Sequence, residues 1–254
     1  MIVLKSDKEI EAIHESCRIV SQTLKLIAKS IHPGIKTGDL NSKAEDYMIR
    51  RGGRPAFKGF QGFPCSICVS IDDEVVHGIP GERILQEGQL VSIDVGVEKA
   101  GYYGDSAATF SVGRVSQEKK KLVTVTQEAL KKGIAKAREG NRLSDISWAI
   151  QQHVESHGYS VVRALVGHGI GKEMHEEPQI PNFGQPGSGP LLKSGMILAI
   201  EPMVNAGGYE VETLNDNWTV VTQDASPSAH FEHTVAITPE GPLVLTEFPL
   251  EVVC

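Results

Sequence analysis

Two ten-residue segments of this 254-residue chain follow the same pattern, and each ends in an acidic residue. They are LQEGQLVSID (85–94) and LKSGMILAIE (192–201), both with Leu first, Gly fourth and an apolar run before Ile and the acid. A second acid follows in each half, Asp105 in GDSAATFSV and Glu232 in FEHTVAIT. Two short matches can arise by chance, but the pattern favours a duplicated helix–strand unit whose halves meet at the acids.

Helix signals precede both segments, so the two halves share one order of elements. The capping box Ser6-x-x-Glu9 opens the first helix, which His32-Pro33-Gly34 ends. Further helices are predicted at 40–51, 116–140 and 144–158, and strands at 90–97, 102–112, 159–166, 196–204, 209–213, 217–222 and 231–238. No linker or low-complexity tract divides the chain. We therefore expect one α+β domain that spans residues 1–254.

The composition indicates a globular protein that acts on neither nucleic acid nor membranes. The formal net charge is −7, with 22% charged and 40% hydrophobic residues, which argues against an anionic partner. No apolar run reaches the roughly 18 residues of a membrane span. The N-terminal sequence MIVLKSDKEIEAIHES becomes charged too early for a secretory signal. These features predict a cytoplasmic protein.

The cysteines agree with a reducing compartment. The four residues Cys17, Cys65, Cys68 and Cys254 do not form a disulfide framework of the secreted kind. The Cys65-x-x-Cys68 spacing could supply half of a zinc site, but the sequence contains no second pair to complete it. A structural or pocket-lining role is therefore favoured.

Asp94 and Asp105 are carboxylates in otherwise apolar strands, with turn-forming residues between them. A hairpin folded about Lys99-Ala100 would place them opposite each other on one face, with Cβ atoms about 4.5–5.5 Å apart. Like charges repel strongly at a partly buried site, so a shared proton, basic partners or metal ions must compensate. Four acids are too many for one proton, and no Lys or Arg adjoins them in sequence. Divalent cations are therefore favoured.

His168 offers a fifth ligand, because Gly167 and Gly169 beside it allow its backbone to approach a site closely. The glycines of LVGHGIGKEMHEEP do not match a dinucleotide fingerprint, and the spacing to His175 does not match a zincin motif. Four carboxylates and one imidazole suit two bridged ions and favour Mn, Fe(II) or Co over a structural Zn. Two ions about 3.5–4 Å apart polarise a carbonyl and activate water near neutral pH. The alternative, that each acid is simply solvated, does not explain the matched pairs.

Five stretches, in chain order, resemble type I methionine aminopeptidase, a family of bacterial-type metallopeptidases. They are VVHGIPG (75–81), SIDVGVEKAGYYGDSAATF (92–110), VGHGIGKEMHEEPQIPNF (166–183), AIEPMV (199–204) and FEHTVAIT (231–238). The resemblance covers essentially the whole chain. It implies the pita-bread fold, with two pseudo-symmetric helix–strand halves around a central antiparallel sheet. It also implies removal of the initiator methionine by attack of metal-activated water on the first peptide bond.

The resemblance assigns metal ligands at positions that all match the family pattern. It implies that Asp94 holds one ion, that His168 and Glu201 hold the other, and that Asp105 and Glu232 bridge the two. The implied cofactors are two divalent ions, Mn, Fe(II) or Co, with Zn left open.

Three residues have implied catalytic roles. Glu201 would carry a proton between water and the leaving amine, and His175 would donate to the developing oxyanion. His77 would lie near the scissile amide and aid its positioning or protonation, although without the resemblance it is simply a loop histidine. The free α-amine of the substrate would bind close to the metals, which makes the enzyme an aminopeptidase.

An apolar pocket for the methionine side chain is also implied. Its matching residues are Phe57, Phe60, Phe63, Cys68, Met174 and Trp218. Many family members have Cys in place of Phe57 and Phe in place of Met174, and they have Tyr at the other two phenylalanines. These changes stay apolar, so a thioether still fits. Core packing is the alternative for each aromatic residue, and the family further implies a small second substrate residue.

Rival functions remain open at this stage. Prolidase and aminopeptidase P share the fold, but they usually carry an N-terminal domain for which this chain has no room. A binding module without catalysis would have lost ligands, and a purely structural metal site would leave the histidines unexplained. The expected partner is the N-terminal methionine of nascent polypeptides, with a ribosome contact left open, and we expect a monomer.

Overall fold

The computed structural model describes residues 1–247, in which helices pack against a set of antiparallel sheets. The elements are α1 (Asp7–Ala28), α2 (Thr37–Arg50), β1 (Arg54–Pro55), a 3₁₀ turn (Phe60–Gly62), β2 (Cys68–Ile71), β3 (Glu74–Val76), β4 (Leu90–Lys99), β5 (Tyr102–Ser111), α3 (Gln117–Lys136), α4 (Leu143–Ser156), β6 (Ser160–Val161), β7 (Val166–Gly169), β8 (Glu176–Pro181), β9 (Ile197–Ile200), β10 (Met203–Asn205), β11 (Val211–Thr213), β12 (Val220–Thr222), β13 (Ser228–His230), β14 (His233–Thr238) and β15 (Gly241–Val244). The predicted α+β class is confirmed.

At the starts of α1, α3 and α4, side chains accept hydrogen bonds from backbone N–H groups. Glu9 Oε2 accepts the backbone N–H of Ser6 at 3.0 Å, as the capping box predicts. The helix predicted to start at Ser144 begins one residue earlier, because Asp145 accepts the backbone N–H of Arg142 at 2.8 Å and caps the chain there. Among residues 1–247, none of the helices combines the length and apolar character needed to cross a bilayer.

β4 and β5 form the predicted hairpin, but its turn lies later than expected. Ala100 (φ 53°) and Gly101 (φ 83°) form the turn, because glycine readily takes a positive φ at the second position of a tight hairpin. Asp94 therefore pairs with Ala107, and Asp105 pairs with Gly96. The prediction that the two aspartates lie directly opposite each other is wrong. They are diagonal neighbours on the same face.

The second half repeats this arrangement with β9 and β14. These strands are antiparallel, and Ile200 and His233 form the last pair, so Glu201 and Glu232 stand next to each other just beyond the ladder. The halves are joined where Glu232 donates its backbone N–H to the carbonyl of Ala107 at 2.9 Å. The equivalence of the two antiparallel strand pairs, β4 with β5 and β9 with β14, supports the inferred duplication.

Several short strands were not predicted correctly. β8 was missed because Pro178 and Pro181 argue against a strand, yet it is the edge strand of the sheet ordered β15-β14-β9-β7-β8, where proline is tolerated. The strand predicted at 159–166 is only β6, which pairs over two residues with β10. β13 was also missed.

The apolar core separates the helices from the acids. Ile93 and Val95 of β4 are fully buried in one core cluster with Leu24 of α1 and Leu130 of α3. Side chains alternate along a strand, so Asp94 points to the opposite face. Cys17, Cys65 and Cys68 are free thiols, whereas Cys254 lies outside the described residues.

Candidate metal centre and substrate pocket

The acids of both halves meet at one buried centre. Asp105, His168 and Glu232 each offer a ligand atom, and these atoms lie within 4.8 Å of one another. His168 Nε2 is 3.6 Å from Glu201 Oε1 and 4.0 Å from Asp105 Oδ2. Asp94 contacts Asp105 through its carboxylate. The structure thus brings the five predicted metal ligands together, while their role as ligands stays a prediction.

Glycines allow the strand that carries His168 to approach its neighbours closely. His168 on β7 pairs with Ala199 on β9. A Cβ atom at Gly167 would clash with the carbonyl oxygen of Ala199, and one at Gly169 would clash with that of Glu177. The glycines therefore bring β7 against both adjacent strands, and this places the imidazole beside Glu201.

Burial strongly disfavours the charged carboxylates of the centre in the absence of cations. It raises the pKa of Asp94 to about 6 and that of Glu201 to about 8. The pKa values of Asp105 and Glu232 are raised well above their usual range, first by burial and then by neighbouring acids. Burial also lowers the pKa of His168 to about 3, so this imidazole is neutral and does not compensate the carboxylates.

The donor set fits divalent cations. Oδ1 of Asp94, Oδ1 of Asp105 and Oε1 of Glu232 are buried without a hydrogen-bond partner, which is costly unless a ligand satisfies them. Within residues 1–247, neither Lys nor Arg forms an ion pair with any of the four acids. Carboxylate oxygens with one imidazole are the donors that hard and borderline divalent ions prefer.

A cavity of about 160 Å³ opens directly beside the centre. All six predicted pocket residues line it, namely Phe57, Phe60, Phe63, Cys68, Met174 and Trp218. His77, His175 and the four acids line it as well. Gln61, which the sequence analysis did not select, lines it as well. The apolar walls therefore end at the carboxylates, and Cys68 has the predicted pocket-lining position.

Phe57 and Met174 meet over a glycine. A Cβ atom at Gly96 would lie 2.5 Å from Phe57 Cε1 and 3.0 Å from Met174 Cε. The ring at position 57 is larger than the Cys of many family members, and the thioether at position 174 is slimmer than their Phe. The two departures from the family pattern therefore share one space and offset each other in volume. Among the other lining residues, the rings of Phe63 and Trp218 meet edge to face at 5.1 Å between centroids.

Two further histidines flank the cavity and are neutral at pH 7. His77 has φ 60°, a positive value that is rare for a residue other than glycine. Burial lowers its pKa to about 4, with smaller effects of His230 and His175. Partial burial also lowers the pKa of His175, whose ring centroid lies 4.4 Å from that of His168. Each neutral imidazole can donate one N–H group.

Comparison with protein-family models assigns residues 11–239 to metallopeptidase family M24. The chain belongs to family M24. Among the curated relatives, methionine aminopeptidase of Clostridium acetobutylicum is 54% identical over 247 residues, covering 97% of this chain and 99% of that protein. Methionine aminopeptidase 1 of Bacillus subtilis is 53% identical over 246 residues, covering 97% and 99%. The resemblance inferred from the motifs is confirmed.

Solved structures of M24 peptidases confirm the pita-bread fold. Methionine aminopeptidase of Thermotoga maritima superposes with a TM-score of 0.96 at 45% identity, covering 98% of this chain and all of that one. Prolidase of Pyrococcus furiosus superposes with a TM-score of 0.80 at 24% identity, and the match spans 97% of this chain but 66% of that one. The prolidase likeness shows the fold alone.

His230 is a centre residue of this M24 peptidase that the sequence analysis missed. Its side chain is 2% exposed, and its Nε2 lies 3.6 Å from Glu201 Oε2 and lacks a hydrogen-bond partner in the described structure. Burial lowers its pKa. The available signal was its position two residues before Glu232, which suits a side chain on the same face, but β13 itself was not predicted.

Proposed function

We propose that this M24 peptidase is a methionine aminopeptidase that removes the N-terminal methionine from nascent proteins and peptides. The main observation behind the proposal is that the apolar cavity opens directly onto the cluster of acids. In addition, the chain is more than half identical, over nearly its full length, to enzymes named methionine aminopeptidase. A single terminal side chain fills such a cavity, and the first peptide bond then lies at the carboxylates.

The two parts of the cavity suit the two ends of a terminal methionine. Aromatic rings and Met174 form a polarisable, apolar wall for a flexible thioether. The clustered carboxylates favour a free α-ammonium group nearby, because opposite charges attract strongly where water is excluded. An acylated N-terminus lacks this charge, so the site favours an exopeptidase over an endopeptidase.

Two divalent ions would be held by Asp94, Asp105, His168, Glu201 and Glu232. When bound, such ions polarise the carbonyl and lower the pKa of water to near neutrality. The oxygen-rich donor set favours Mn, Fe(II) or Co, with Zn as a further candidate.

The chain's own residues would move protons and stabilise charge. Glu201 stands within the centre, with Oε1 3.6 Å from His168 Nε2, and with cations bound its ionised carboxylate can accept a proton from water and release it to the leaving amine. His175, at the mouth of the cavity, would donate an N–H to the oxyanion. His77, half-buried beside Trp218, would donate to or orient the scissile amide.

The finer features of the function rest on the resemblance to the family. These are a small second substrate residue and a cytoplasmic location, which the free thiols suit. The monomeric state and a contact with the ribosome stay predictions.

The test is release of methionine from Met-Ala-Ser by the purified protein. We expect free methionine with Mn²⁺ or Co²⁺, none with a chelator and none from the N-acetylated peptide. Met-Leu-Ser should react far more slowly if the second residue must be small. Absence of release under every metal, with the protein folded, would refute the proposal, and cleavage of X-Pro peptides instead would indicate a prolidase-like enzyme.

A further inference from the structure

Lys5 forms a buried ion pair with Glu176, 171 positions later in the chain. Their side chains are only 5% and 15% exposed. Lys5 Nζ also donates to the carbonyl of Val3 at 3.2 Å, and the Lys5 backbone N–H donates to the carbonyl of Gly195 at 2.8 Å. A buried ammonium group requires a partner, because its removal from water is costly. The segment before α1 is therefore fixed to the body of the molecule at this carboxylate.

The other oxygen of Glu176 closes the loop 171–176. Glu176 Oε1 accepts the backbone N–H of Lys172 at 2.7 Å and that of Glu173 at 3.3 Å. A Cβ atom on the glycine that begins this loop would lie 2.6 Å from both Glu176 Oε1 and Lys5 Cε. The loop is thus folded tightly around the ion pair, with no room for another side chain.

His175 immediately precedes Glu176, and its own ring has no hydrogen bond to any residue between 1 and 247. The ring makes edge contacts with His168, at 4.4 Å between centroids, and with Phe60, at 5.3 Å. The side chain is exposed at the cavity mouth. Since no polar group holds the imidazole, its position depends on the backbone of the loop, and that backbone is held by Glu176.

We propose that Lys5 and Glu176 are positioning residues that set where His175 can donate its proton. The inference rests on the proposed function, in which His175 stabilises the oxyanion. Lys5 does not line the cavity, so its effect must pass through the loop. Misplacement of a catalytic group by about 1 Å can reduce the rate about 100-fold.

Lys5→Met tests this, because it removes the ammonium group and keeps an unbranched apolar stem. With Met-Ala-Ser and Mn²⁺, we expect kcat to fall about 10- to 100-fold, with KM changed less than about twofold. Calorimetric Mn²⁺ affinity of the chelator-treated protein should be unchanged. Lys8→Met, which removes an exposed lysine of α1, should retain wild-type kcat. A rise in KM or a parallel loss of Mn²⁺ affinity would overturn the proposal.

A double-mutant cycle separates positioning from general destabilisation. In the His175→Ala background, Lys5→Met should change kcat less than about twofold, because the group it positions is gone. An equal loss in both backgrounds would overturn the inference. If His175→Ala alone retains full kcat, the inference fails while metal-dependent release of methionine still stands. If the wild-type protein releases no methionine, the proposed function itself fails.

Glu176→Gln provides a second variant should Lys5→Met not fold. Its amide oxygen can still accept the loop N–H groups, but it lacks the charge that attracts Lys5. In the Zn²⁺-loaded protein labelled with ¹⁵N-histidine, we expect the ring resonances of His175 to move and those of the distant His32 to stay. Unchanged His175 resonances together with a reduced kcat would overturn the positioning role.

Discussion

At the scale of single residues, the pocket shows how two unusual side chains fit each other. Phe57 and Met174 both contact the space above Gly96, so neither can be changed in size without affecting the other. This relation was not visible in the sequence, where the two positions are separate departures from the family pattern. Its physical basis is that the hairpin and the loop before β8 meet at one glycine.

Met174→Phe should therefore overfill the pocket. Overpacking costs about 1–3 kcal/mol, so we expect kcat/KM for Met-Ala-Ser to fall about 10-fold or more. The double variant Phe57→Cys with Met174→Phe should recover most of the loss, since it restores the total volume. Steady-state kinetics of the wild type and the three variants measure this coupling, and additive losses would contradict it.

Asp105→Asn should weaken the binding of metal but raise the free energy of unfolding of the metal-free protein. The amide removes a buried charge whose pKa is strongly raised, and one pKa unit corresponds to 1.36 kcal/mol. We expect the metal-free variant to gain about 1 kcal/mol or more in free energy of unfolding, while Mn²⁺ binding weakens more than about 10-fold.

Urea unfolding and calorimetry would measure these two quantities. Asp46→Asn is the matched control, because this aspartate is exposed on α2, and both quantities should stay at the wild-type value. A destabilised metal-free Asp105→Asn protein would show that the carboxylate has a protein partner instead.

At the scale of elements, the helices and strands that could be predicted were those whose ends are marked by residues close by in the sequence. The capping box predicted the start of α1, and the turn-forming residues between two apolar runs located the hairpin strands. The register of that hairpin was missed because it depends on which two residues form the turn. β8 was missed because Pro178 and Pro181 argue against a strand, and β13 was missed because its stability comes from pairing with β10, which is not its neighbour in sequence. His230 and the Lys5–Glu176 pair depend on the same long-range packing.

The close approach of β7 and β9 predicts different costs for two alanine substitutions. Gly167→Ala should lower the free energy of unfolding by about 1–3 kcal/mol, because its Cβ would clash with the Ala199 carbonyl. Gly81→Ala should be nearly neutral, since no heavy atom lies within 4 Å of its Cβ position and its φ is not positive. Thermal and urea unfolding of both variants check this, and equal costs would contradict the packing argument.

At the scale of the whole molecule, the centre couples folding to pH and to metal. The raised pKa of Glu201, about 8 against an ordinary value of 4.5, means that the folded metal-free state binds a proton that the unfolded state has lost. The contribution of Glu201 to the free energy of unfolding is fully present below the pKa that this residue has in the unfolded chain. It is lost as the pH rises through the pKa that Glu201 has in the folded protein. Bound cations remove the effect, because they stabilise the ionised carboxylates.

We therefore expect the Tm of the metal-free protein to fall as the pH rises from 6.5 to 8.5. In this range the half-buried His77 and the buried His168, with pKa values of about 4 and about 3, stay neutral and contribute no opposing change. The Mn²⁺-loaded protein should lack the decline, and metal-free Glu201→Gln should show a smaller one. Differential scanning calorimetry at matched ionic strength measures all three, and a rising metal-free Tm would contradict the sign.

The division of the centre between the two halves of the chain also sets a time at which a newly made molecule becomes active. A chain synthesised as far as β5 has Asp94 and Asp105 but lacks His168, Glu201 and Glu232. Because the remaining predicted ligands come from the second half, and Glu232, the last of them, lies within the final tenth of the sequence, a copy that ends before Glu232 lacks part of the set. The predicted centre is thus complete only when the chain has been made as far as Glu232, and the enzyme cannot begin to process other chains while most of its own is still being made.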